Sequence, residues 1–87
     1  MKIKSGFVLR SVGGENIVVP VGEMSKQFHG MINLNDSGAF LWRLFSQDCT
    51  VDEAVKSLKE QYNVEEDVAR QDVEKFVAVL VESGFVD

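Results

Sequence analysis

The spacing of hydrophobic positions changes once along this chain, from a front half rich in β-branched residues to a back half that repeats every three to four residues. Phe7 to Val12 (FVLRSV) and Ile17 to Val21 (IVVPV) combine β-branched and aromatic residues, and Gly13, Gly14, Glu15 and Asn16 between them form a turn cluster. They predict a β-hairpin. A longer connection, Gly22 to Gly30, contains Met24 and Phe28 and leads to a third short strand, Met31 to Leu34. A three-stranded antiparallel meander is the simplest closure. Pro20 conflicts with it, because proline cannot donate to a ladder and a meander makes its strand the central one. Pairing is therefore expected to end near Val19.

The back half predicts three helices. The first runs from about Asp36 to Gln47, with Leu41, Leu44 and Phe45 at helical spacing and Trp42 widening the apolar face. Asn35 is placed to cap it, and Asp36 adds negative charge where the helix dipole is positive. Trp42 reads as core, since burying an indole stabilises a small domain strongly. The second helix opens at Thr50, which with Glu53 makes a T-x-x-E capping box, and continues through Ala54, Val55, Leu58 and Tyr62. The third begins after Asn63 with Glu65, Glu66 and Asp67 in its first turn. It ends near Ser83, where Gly84 suits a left-handed cap, and Phe85 and Val86 are expected to fold back. Strands followed by three helices predict an α+β, winged-helix-like domain.

Size and composition agree with that picture. At 87 residues the chain has room for one domain, residues 1–87, burying roughly 60% of the unfolded surface. No apolar run approaches the ~20 residues of a membrane span, and the start MKIKSGF lacks the apolar region of a signal peptide. The protein is expected to be cytoplasmic, with no membrane partner. Cys49 stands alone and cannot form an internal disulfide, and with His29 as the other soft ligand there is no zinc set. Cys49 reads as a small residue at a helix junction and His29 as a solvated turn residue. No nucleophile and base pairing, phosphate loop or metal set is present, so no enzyme and no cofactor are expected.

Charge bears on the helix-turn-helix layout. Fourteen acidic against nine basic residues leave a formal net charge of -5. A phosphate backbone would meet repulsion, and the helix after the tight turn presents Glu65, Glu66 and Asp67 where a DNA-reading helix needs donors. Nucleic acid is not expected as a partner.

Two features point to a peptide instead. Relative to Phe76, at about 100° per residue, Ala69, Val73 and Leu80 fall within about 60° and form one core stripe. Val68, Val77, Val79 and Val81 lie outside it, on both flanks. Either they pack on the sheet and the Phe85 tail, or one flank lines a groove. The outer edge of the third strand is unpaired in a meander, and MINL has none of the lysines or prolines that blunt an edge. Such an edge beside an apolar helix suits an extended peptide, unless a loop or the C-terminus covers it.

The order of these features resembles the PqqD family, which includes related recognition elements of peptide-modifying enzymes. The resemblance rests on IVVPVG, on G-M-I-N-L-N-D-S-G-A-F-L-W from Gly30 to Trp42, on the T-x-x-E helix start and on A-R-Q-D-V-E-K-F in the last helix. It implies a winged-helix-like domain that takes the leader segment of a ribosomally made precursor peptide as an added strand. The leader would then be presented to a modifying enzyme, typically a radical SAM enzyme. Carried over by position, the implied peptide-binding residues are Met31, Ile32, Asn33 and Leu34 on the strand and Arg70, Val73 and Val77 on the last helix. The opposite flank would offer Asp72 and Val79 instead. Two other readings fit the residues: a winged-helix transcriptional or adaptor domain, and a structural domain that dimerises through its third strand. Both a monomer and an edge-paired dimer stay open.

Overall fold

The computed structural model describes residues 1–28 and 31–86. His29 lies outside the described residues. Strands β1 (Phe7–Val12) and β2 (Glu15–Pro20) pair antiparallel, with Val12 opposite Glu15 at the turn. Gly13 and Gly14 between them both take positive φ, 58° and 82°. A two-residue hairpin turn needs that conformation twice in succession, and glycine reaches it without a steric penalty. Strand β3 (Ile32–Leu34) adds to β2, giving the order β1-β2-β3. The meander holds as expected.

Pairing extends to Pro20, opposite Phe7, one residue beyond the expected end. The register removes the conflict. Val21 N–H donates to Gly6 O at 2.8 Å, so by the alternation of antiparallel ladders Val19 and Ile17 also bond toward β1. Pro20 lies between Val19 and Val21, and its nitrogen faces away from β1. Described pairing of β3 begins at Val18, so the missing N–H breaks no bond in the described sheet. A second departure is α1 (Met24–Gln27), a single turn of helix within the connection expected to be irregular.

After the sheet come α2 (Asp36–Phe45), α3 (Val51–Tyr62) and α4 (Glu66–Glu82). Their ends are set locally. The Asn35 side chain accepts from Gly38 N–H at 2.8 Å, closing the first turn of α2. Thr50 and Glu53 exchange bonds of 3.1 and 2.9 Å, the reciprocal capping box expected. Gly84, at φ +79°, ends α4. The chain then turns inward, and Phe85 and Val86 are buried.

The core lies between the sheet and the three long helices. Phe45, Leu58, Leu80, Val18 and Val73 are its largest fully enclosed side chains. Trp42 is buried as expected and meets Phe7 and Phe85 edge-on, at centroid distances of 6.4 and 5.4 Å. Such pairs stabilise by about 0.5–1.5 kcal/mol beyond the area they bury. The last helix packs on α2 and α3. That docking leaves one of its flanks beside β3.

Candidate functional site: a groove between β3 and α4

Backbone geometry decides what β3 offers. Its register with β2 pairs Val18 with Ile32, Ile17 with Asn33 and Asn16 with Leu34. Because Val19 and Ile17 bond toward β1, Val18 and Asn16 bond toward β3, and Ile32 and Leu34 spend their N–H and C=O groups on β2. The Asn16 side chain also reaches Leu34 O at 3.4 Å, consistent with that carbonyl facing inward. Asn33 therefore turns its N–H and C=O outward. Among the described residues β3 pairs with β2 alone, so this edge is open.

Side chains divide the same way. Ile32 and Leu34 pack against the core, Asn33 is exposed, and Met31, just before the strand, is 68% exposed. Two hollows lie along this edge. One, of about 160 Å³, is lined by Phe7, Val18, Phe28, Met31, Ile32 and Phe85, with Ser83 beyond the end of α4 at its rim. The other, of about 270 Å³, lies between the start of α2 at Asn35 and Gly38 and the Asp72, Lys75, Phe76 and Val79 side of α4. The strand runs from Met31 toward Asn35 while the helix runs from Asp72 toward Ser83, so the two hollows mark opposite ends of one groove. One end is aromatic and the other carries a carboxylate and an ammonium.

The groove takes only part of the expected residue set. Met31 and Ile32 line it, Asn33 supplies the open backbone and Leu34 anchors the strand to the core. Arg70, Val73 and Val77 lie elsewhere. Val73 is wholly enclosed, so an incoming chain has no access to it. Val77 packs against the core. Arg70 bonds Asp52 at 3.2 Å across to α3 and lines a different hollow with Val55, Lys56 and Lys59. The helix face they occupy is the one that α4 turns toward the core and α3. The opposite flank, with Asp72, Lys75 and Val79, faces the groove, and Val79 is 45% exposed. Val68, 47% exposed, falls on this flank by helical angle. Lys75 and Ser83 were missed by sequence reasoning, although both follow from Asp72 and Val79 at helical spacing.

Among the described residues no group of His, Cys, Asp or Glu is placed to hold a metal ion. No described helix is long and apolar enough to cross a membrane. Cys49 is 9% exposed, and burial first, then the Glu53 carboxylate, push its thiol above the ordinary range. A raised thiol holds little nucleophilic thiolate at neutral pH. Iodoacetamide at pH 8 is expected to alkylate Cys49 about tenfold or more slowly in the folded protein than in urea, and equal rates would contradict the burial. The acidic start of α4 is engaged locally, since Glu66 pairs with Lys59 at 3.1 Å and lies 4.0 Å from Arg70.

Comparison with known proteins fits this geometry. The family model described as coenzyme PQQ synthesis protein D (PqqD) matches residues 8–86. The chain belongs to the PqqD family. Among solved structures it is similar to "TbiB1 in Complex with the TbiA(beta) Leader Peptide", with a TM-score of 0.79 and 20% identity. That likeness covers 100% of this chain and 95% of the other, and it shows a shared fold. Comparison with curated proteins yields no match. Family membership agrees with the α+β architecture derived above, three antiparallel strands followed by helices.

Proposed function

We propose that this protein binds the leader segment of a ribosomally made precursor peptide as a fourth strand on β3, and that it acts by binding rather than by catalysis. The observation that carries the reading is the outward-facing Asn33 backbone on an edge that is unpaired among the described residues, with a hollow just past it at Asn35 that the half-exposed Val79 of α4 lines. An extended chain placed there gains ladder hydrogen bonds from the strand and side-chain selectivity from the hollows. Met31 to Asn35 spans about 13 Å of strand, enough to pair about four residues. Alternate side chains of the leader would drop toward α4, apolar ones at the Phe85 end and polar ones near Asp72 and Lys75.

Family membership supports a role in peptide modification, as does the leader peptide named with the structural neighbour. In this reading the domain delivers the leader to a modifying enzyme of the radical SAM type in the cytoplasm. Holding the leader on a domain that also touches the enzyme raises the effective concentration of the segment to be modified, with no catalytic group supplied here. The test is an NMR titration of the labelled protein with the leader of the nearest encoded short precursor. Amide shifts are expected at Asn33, Asp72, Lys75 and Val79, with Arg70 and Val73 little changed. Saturating peptide without shifts at Asn33 would overturn strand addition. An edge already paired between two copies would then show as a dimer in sedimentation.

A further inference from the structure

The opposite edge of the sheet repeats the same construction with a different charge. By the register that directs Val8, Arg10 and Val12 at β2, the backbone groups of Phe7, Leu9 and Ser11 face outward. Among the described residues β1 pairs with β2 alone. Between this edge and α2 lies an open hollow of about 520 Å³ lined by Phe7, Leu9, Ser11, Trp42, Arg43 and Ser46. A second hollow shares Phe7 and Ser46 with it and adds Lys2 and Lys4. The two therefore adjoin. Among the described residues no carboxylate lines either one.

The cations here stand out against the acidic balance of the chain. The net charge is -5, and several cations elsewhere are matched: Lys59 and Arg70 pair with Glu66 and Asp52, and Lys26 with Glu23. Neither Lys2 nor Arg43 has an ion pair among the described residues, and both are exposed. An apolar floor of Leu9 and Trp42, an open backbone edge and a basic rim together suit an extended chain whose outer side chains are acidic. A second copy of this protein fits poorly, because pairing β1 with β1 would bring two basic rims together.

We infer that the β1 edge and the adjoining face of α2 form a second strand-addition site, which takes an acidic extended segment of a partner protein. β1 and β3 are opposite edges of one sheet, so occupancy of one leaves the other available. The inference does not depend on what binds β3.

An acetylated, amidated peptide alternating glutamate and valine, about seven residues long to match a strand, serves as the probe, with lysine replacing glutamate in the control. Titrated into the labelled full chain at low salt, the acidic peptide is expected to shift the amides of Phe7, Leu9, Ser11 and Arg43 and the Trp42 indole. High salt should weaken it. Lys2→Glu combined with Arg43→Glu should weaken it about tenfold or more while the rest of the spectrum stays folded. Arg43→Gln, a milder change, should weaken it by a smaller factor and guards against misfolding of the double variant. Absence of shifts at saturation, shifts confined to Asn33 and Val79, equal binding of the lysine peptide, or indifference to charge reversal would each overturn the inference. Because the β3 and β1 sites report through different amides, failure here and failure of leader binding are read separately.

Discussion

Asn33→Pro is expected to weaken leader binding about ten- to a hundredfold while leaving the domain folded. The outward N–H of Asn33 is the donor that an added strand would use, and proline removes it and puts a ring in its place. Losing one such bond, with the leader carbonyl left unpartnered, costs about 1–3 kcal/mol, which is that range of affinity. Folding is spared because Asn33 sends no hydrogen bond to β2, and proline is tolerated at an unpaired edge. Ile32→Pro is the contrasting variant. Its N–H belongs to the β2 ladder and its side chain to the core, so this change should lower the melting temperature sharply. Titration calorimetry and thermal unfolding on both variants separate the two roles. If Asn33→Pro binds the leader as tightly as the parent, strand addition on β3 is wrong.

Val73→Asp and Val79→Asp should differ as strongly, in opposite readouts. Val73 is 0% exposed, so an aspartate there must bury a carboxylate without a partner. A penalty of about 4–5 kcal/mol removes half or more of the roughly 5–10 kcal/mol expected for a domain of this size. The variant should melt at least about 15 °C lower by circular dichroism. Val79 is 45% exposed, and aspartate there should change stability by about 1 kcal/mol or less, yet weaken an apolar leader contact about tenfold. Equal loss of stability in both would place Val79 in the core and leave the groove without its helical wall.

These contrasts also show where sequence reasoning reached its end. The valines on either side of the α4 core stripe are nearly symmetrical about it, so the helical period alone gives two flanks of similar greasiness. Arg70 and Val77 occupy one, Asp72 and Val79 the other. The choice is made by where α2, α3 and the sheet lie around the helix, and no local pattern within α4 carries that information. The α1 turn was missed for a related reason: one turn of helix is too short to show a period. Pro20 was misjudged because the direction of an N–H along a strand depends on pairing register, which Val21 and Gly6 set from outside β2.

By itself the sequence determined most of what has a local cause. Asn35 and Thr50 cap the helices they precede, Gly13 and Gly14 permit the hairpin turn, Gly84 ends α4, and the periodicities separate strands from helices. These depend on groups a few residues apart. Tertiary structure decided which groups stay exposed: the outward backbone of Asn33, the Asp72 and Val79 flank of α4, and the Lys2 and Arg43 side chains toward the far edge. Each depends on groups distant in sequence being brought together or kept apart. The physical reason is that a cap or a turn is a property of one segment, whereas an open edge or an unpaired charge is defined by what does not pack against it.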